Sequence, residues 1–256
     1  MMNGTERIAE ALQMRGIFLE VKDDFIHLTN ENSKEDIAFV SQLLNDLNIP
    51  TFWRGNKFQV LVERIPVAIM KKIMNQAGRE FLISMQGYHY KWKVFAQRRF
   101  GIKVNAFNLD ANIAFLVRSL NLAGITALAG CNGHHRHDPN VQLSGVFQGA
   151  WFEVIQEKYL SECTLHYKWI VHYGNNTGSS IIAEKEDEAR FNMNLIYQDA
   201  IQMASVLQKH AKEIRELKNH TFKRNKDMKK EAYTWIQDKN IDGLVAWMKR
   251  KLSETK

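Results

Sequence analysis

At 256 residues, 45% of them hydrophobic and 25% charged, the chain has ordinary globular composition and enough length for one large or two small cored domains, which excludes pervasive disorder. No apolar run approaches the ~20 residues of a membrane span, and the first residues lack a basic flank followed by an apolar stretch and a small-residue cleavage site, so no membrane partner is expected and a cytoplasmic location is. Two cysteines, Cys131 and Cys163, are too few for a disulfide scaffold and read as thiols or ligands.

The elements follow in chain order from periodicity and turn chemistry. An N-terminal helix leads into an extended stretch from Gly16 to Leu28. A helix follows from about Ser33 to Leu47, with Ile37, Val40, Leu43, Leu44 and Leu47 at helical spacing and a cap from Asn32 or Ser33. Pro50 ends it. Strands Thr51 to Trp53 and Phe58 to Glu63 flank the turn Arg54-Gly55-Asn56-Lys57, Pro66 opens a helix from Val67 to Asn75, and a strand is expected from Phe81 to Phe95. The same order then returns: strand Gly101 to Phe107, helix Asp110 to Ala123, strands Ile125 to Ala129 and Val141 to Ser144, helix Gly149 to Tyr159, strand Cys163 to Tyr173, and an exit loop through Ser180. Beyond it, Tyr197, Ala200, Ala204, Leu207, Ala211, Ile214 and Leu217 mark a long amphipathic helix, and Ile241, Leu244, Val245, Met248 and Leu252 a shorter one.

Two segments carry the same word, which makes this return an internal duplication. His89-Tyr90-Lys91-Trp92-Lys93-Val94 recurs 77 residues on as His166-Tyr167-Lys168-Trp169-Ile170-Val171. Ile37-Ala38-Phe39, Leu44-Asn45 and Ile49 likewise align with Ile113-Ala114-Phe115, Leu120-Asn121 and Ile125 at a shift of 76. The expected fold is α+β: two tandem ferredoxin-like (βαββαβ) repeats followed by a C-terminal helical segment. Residues 1–98 form the first repeat with its N-terminal helix, 99–180 the second with an expanded hairpin loop, and 181–256 the basic C-terminal helices.

The net charge of +7 is unevenly placed. Of 35 Lys/Arg and 28 Asp/Glu, 14 and 7 lie from Lys209 onward, which leaves the preceding residues balanced at 21 each. A neutral body with a basic tail fits nucleic acid or an acidic partner, and fits a solvated helical surface equally well. Along the duplicated strand, alternation sets Tyr90 and Trp92, or Tyr167 and Trp169, against the helices, and leaves His89, Lys91, Lys93, His166 and Lys168 on an open sheet face. Together with Arg98 and Arg99 between the repeats and Lys223, Arg224 and Lys226 in the tail, these are the candidate nucleic-acid contacts.

The two copies differ most at one hairpin. Ile49 to Phe58 takes nine positions and Ile125 to Val141 takes sixteen, and the added residues include Cys131, His134, His135, Arg136, His137 and Asp138. Cys131 and His134 have the gap that lets one metal take both, which makes Cys131, His134 and His137 candidate ligands, with zinc the metal such a set would hold. A four-ligand site adding Cys163 and His166 is disfavoured, because residues three apart on a strand point to opposite faces. Without metal, His134, His135, His137 and Asp138 are candidates for acid-base work, for gripping a phosphate with Arg136, or for an exposed loop tip and nothing more. Phosphate-loop, dinucleotide, nucleophile-elbow and H-E-x-x-H signatures are all absent from the sequence. Three readings follow: a nucleic-acid-binding protein; a metal-assisted hydrolase or nuclease centred on Cys131 to Asp138; or an oligomeric, protein-binding regulator or inhibitor acting through the C-terminal helices.

Overall fold

The computed structural model describes residues 3–75, 109–174, 178–185, 190–223 and 225–254, excepting the side chains of residues 75, 112 and 223. Helix α1 (Gly4–Met14) starts on a reciprocal capping box between Asn3 and Glu6. It stops at Gly16, whose φ of +83° lets the Ile17 N–H turn back to the Leu12 carbonyl. The chain then runs into a hairpin of β1 (Leu19–Lys22) and β2 (Phe25–Leu28), tightened by Asp23 and Asp24 at φ +50° and +60°. Two successive positive φ values are what a two-residue primed turn requires, and Asp tolerates them better than most side chains.

Helix α2 (Lys34–Asp46) repeats the plan. Ser33 and Asp36 cap its start, Asn48 at φ +53° stops it, and the Ile49 N–H returns to the Leu44 carbonyl. The hairpin of β3 (Thr51–Arg54) and β4 (Lys57–Val60) follows, then α3 (Val67–Asn75). The second unit has α4 (Ala111–Leu122), stopped by Gly124 at φ +80° with Ile125 N–H on the Leu120 carbonyl. After it come β5 (Ala127–Cys131) and β6 (Asn140–Leu143), then α5 (Val146–Ile155) prolonged by a π-helical turn at Gln156–Leu160. The hairpin β7 (Lys168–Tyr173) and β8 (Ser179–Glu184) and the helix α6 (Met193–Lys209) complete it.

Both sheets are four-stranded and antiparallel, with orders β1-β2-β4-β3 and β5-β6-β8-β7. The α+β expectation holds, but the strand sequence among the described residues differs from βαββαβ. The stretch from Gly16 to Leu28 is a hairpin and not one strand, because the Asp23-Asp24 turn folds it back. Ser179 and Ser180, expected to end an exit loop, instead open β8, a strand seated between β6 and β7. The expected strands at 81–95 and 101–107 lie outside the described residues. The match at a shift of 76 therefore aligns two helix-plus-stop segments, α2 into β3 and α4 into β5.

Each unit has its own core. Ile8, Leu12, Ile26, Leu44 and Phe58 centre the first; Ile113, Leu120, Trp151, Phe152 and Trp169 centre the second. The tail adds α7 (Ala211–Lys218), a π-helical turn at Asn219–Lys223, α8 (Lys226–Gln237) and α9 (Ile241–Glu254). Their apolar stripes are buried within the chain: Ile214, Phe222, Leu244, Trp247 and Met248 join the second core, with the Phe222 ring against Phe147, Trp151 and Trp247. No helix among the described residues is long and apolar enough to cross a membrane.

Two buried arginines tie the units together. From α4, Arg118 donates to the Gly16 carbonyl (2.7 Å) and to Asp36 (3.0 Å) and lies over the Phe18 ring. Arg15 donates to the carbonyls of Met74 and Leu109. Burial lowers the Arg15 guanidinium to about 10, against the pull of Asp110, so it remains charged at neutral pH.

Candidate metal centre

The expanded hairpin loop joins β5 to β6, and its first residues form a tight knuckle. Cys131 ends β5, and its Sγ accepts a hydrogen bond from the Gly133 N–H at 3.3 Å. Gly133 has φ +81°, and a Cβ there would lie 2.0 Å from the His137 carbonyl oxygen, so the turn needs glycine. His134 and His135 follow at φ +47° and +59°, a conformation uncommon for side chains of this size. This backbone brings a His134 ring nitrogen within 4.8 Å of the Cys131 sulfur.

The third member comes from another element. Asp110 is the N-cap residue of α4, yet its carboxylate makes no side-chain cap hydrogen bond. The corresponding residues of α1 and α2, Asn3 and Ser33, both cap. Asp110 Oδ2 instead accepts from the Asn132 N–H at 3.0 Å and lies 3.2 Å from His134 Nε2. One ligand atom from each of Asp110, Cys131 and His134 lies within 4.8 Å of the others. Asp110 is nearly buried and His134 is exposed.

Burial pushes the Cys131 thiol above its ordinary value; the Gly133 N–H pulls it down, and the charge of Asp110 adds to the rise. The free protein therefore holds a protonated thiol at neutral pH, unsuited to act alone as a nucleophile. A cation at the same point would reverse that preference, since metals bind the thiolate.

Of the ligands read from sequence, Cys131 and His134 meet, Asp110 joins them, and His137 stands exposed outside the group. Arg136 and Asp138 are exposed. His135 Nδ1 is 3.1 Å from the Phe191 carbonyl oxygen. A carbonyl only accepts, so Nδ1 carries the proton and Nε2 of the neutral ring is left as an acceptor. His135 lines an open depression of about 550 Å³ with Arg190, Phe191, Asn192, Met193 and Asn194.

Cys163 and His166 are outside the group. His166 is committed to Asp199, a fully buried carboxylate on α6 that accepts from the His166 N–H and Nδ1, the Tyr167 N–H and the Trp169 indole. Burial, with Asp199 next, raises the Cys163 thiol. Trp169 is buried and Lys168 exposed, as alternation required, and Lys168 faces Glu184 across the β7–β8 pair. Lys226 is exposed at the start of α8, while His89, Lys91, Lys93, Arg98, Arg99 and Arg224 lie outside the described residues, as does the side chain of Lys223. The chain matches no family model, no curated protein and no solved structure.

Proposed function

We propose that this chain is a zinc-dependent hydrolase whose metal is held by Asp110, Cys131 and His134. The observation that carries the reading is an N-cap aspartate that does not cap. A capping side chain contributes about 1 kcal/mol to its helix, and Asp110 forgoes that to face a thiol and an imidazole. Sulfur, nitrogen and oxygen donors together suit zinc among the common divalent metals. Held by Asp110, Cys131 and His134, zinc would supply Lewis acidity and an activated water, as metals with three protein ligands do in hydrolases.

His135 is the neighbouring group fitted to move a proton. Its tautomer is fixed by the Phe191 carbonyl, its free Nε2 is an acceptor, and it follows a ligand directly in the chain. The depression it shares with Arg190 and Asn194 is the natural place for a substrate.

The test is elemental analysis of tag-free protein, followed by turnover assays on carboxylic ester, amide and phosphodiester substrates. One zinc per chain, lost in Cys131→Ser and Asp110→Ala, with hydrolysis that falls at least a hundredfold in His135→Ala while zinc is kept, is the expected result. Protein that takes up no zinc under saturating metal overturns the reading. Stoichiometric zinc without turnover on any substrate class removes the hydrolase and leaves a metal-binding protein.

A further inference from the structure

Among the described residues, one face of the first sheet carries no buried side chain, and the register shows what it presents. Ile26, Leu28, Phe58 and Val60 are buried, so the opposite face carries their alternating neighbours. Across the four strands one row reads Lys22, Phe25, Gln59, Phe52 and the next reads Glu20, His27, Lys57, Arg54. Phe52 is 43% exposed, a large apolar ring in a row shared with Lys22 and Gln59. The Arg54 guanidinium lies 5.0 Å from the Phe52 ring centre and the Lys57 ammonium 5.2 Å from that of Phe25.

We infer that this face binds single-stranded nucleic acid, with bases stacked on Phe25 and Phe52 and phosphates held by Arg54 and Lys57. Among the described residues of these rows Glu20 is the one anion and it pairs with Lys22 at 2.6 Å, which leaves positive charge in excess there, with no second anion in the rows for Arg54 and Lys57. The second sheet offers no such excess: on its open face Lys168 and His172 both lie by Glu184, and Ile170 and Ile182 stand in place of rings. Competition between the two kinds of contact favours the ligand. An exposed cation–π pair is weaker than base–aromatic stacking, so an arriving base displaces the cation from the ring and frees it for phosphate. Phe25 and Phe52 are two strand spacings apart, roughly 10 Å, with Gln59 between them to hydrogen-bond a base edge. Rings that far apart take splayed bases, which a single strand can present and a paired duplex cannot. This surface is independent of the zinc reading.

The experiment is fluorescence anisotropy of the full-length protein with labelled twelve-nucleotide uridine and thymidine oligomers and with a duplex of equal length, across a salt series. Phe52→Ala and Phe25→Ala are each expected to weaken single-strand binding about 5- to 150-fold while melting curves stay near the parent's. Arg54→Gln and Lys57→Gln are expected to reduce the slope of log affinity against log salt by about 0.7 each. Lack of binding at low salt, duplex bound as tightly as single strand, or affinity that ignores both phenylalanines each overturns the proposal. Binding lost instead in a Lys226→Gln, Lys229→Gln, Lys230→Gln triple variant would assign the contact to α8. Chelator-treated protein should bind as well as untreated, which separates this outcome from the zinc centre.

Discussion

The protonated Cys131 thiol gives the proposed zinc centre a pH signature whose sign can be worked out beforehand. Its value is raised in the folded protein, mainly by burial. In metal-free protein a raised acid contributes stability that is fully present below the unfolded thiol value of about 8.5 and is lost only as pH climbs past it. Between pH 7 and 8 the free protein should therefore show no dependence from this group. Zinc binding must expel that proton, so affinity should rise about tenfold, or 1.36 kcal/mol, over the same unit. At zinc one hundred times its Kd, stabilisation of about 2.7 kcal/mol raises Tm by roughly 5 to 10 °C for a chain of this size. Calorimetric titration in two buffers of different ionisation enthalpy counts the released protons, and a Tm series at fixed free zinc gives the slope. A Kd that is flat from pH 7 to 8, or a Cys131→Ser protein that binds zinc like the parent, would refute the assignment of Cys131 as a displaced-proton ligand.

Three substitutions separate the site from the scaffold. Asp110→Ser supplies an N-cap hydroxyl worth up to about 1 kcal/mol but removes the acceptor of the Asn132 N–H, so the two effects offset and Tm should stay near the parent's, while zinc stoichiometry falls to zero; a variant that keeps its metal shows that Asp110 is no ligand. Gly133→Ala meets the His137 carbonyl oxygen at 2.0 Å with φ +81°, which should cost about 1 to 3 kcal/mol by urea denaturation and weaken zinc at least tenfold; an unchanged Kd means that the knuckle does not position the ligands. Asp199→Ala strands four donors that its buried carboxylate serves and should destabilise the fold by about 3 to 5 kcal/mol, with zinc stoichiometry intact in the folded fraction; a loss under 1 kcal/mol would show that those donors find other partners.

Local rules made much of this fold legible, and misled where two of them competed. The helices at α2, α4 and α5 follow from apolar spacing, and Gly55-Asn56 announced its hairpin. Asp23-Asp24 looked like surface charge because aspartate is ordinary on a surface, yet both residues take positive φ and split one expected strand into two. Ser179 and Ser180, which open β8, read as the end of an exit loop because glycine and asparagine precede them. The strand's Ile181 and Ala183 nevertheless alternate inward, and β8 fills the middle of the sheet. In a βαββαβ sheet that central place belongs to the leading strand, so the chain reaches a similar strand arrangement from the opposite end. The tail helices' stripes were visible as periodicity; that they close on the second core is tertiary information that periodicity does not carry.

The candidate site divides the same way. Cys131 and His134 were visible through their spacing, while Asp110 was read only as a helix start. Simple lengths could have found it. A twelve-residue helix rises about 18 Å and a five-residue strand spans about 17 Å, so an antiparallel helix and strand joined by a tight stop bring the first residue of one beside the last of the other. Each helix–hairpin unit has this chain order, and at β5–β6 the cap meets the loop directly, Asp110 accepting from the Asn132 N–H at 3.0 Å. In the first two hairpins the tips are two-residue turns and the caps serve their helices. At β5–β6 the tip grows to residues 132–139, and there alone among these three the cap turns away from its helix. Lengthening a loop fourfold costs only about 1.2 kcal/mol in closure entropy, so the scaffold tolerates it, but helix α4 gains nothing from a cap residue whose carboxylate serves the loop instead. The two departures from local preference, the long tip and the turned cap, meet in space, and there they gather a carboxylate, a thiol and an imidazole within 4.8 Å of one another, the donor set that the proposed metal would use.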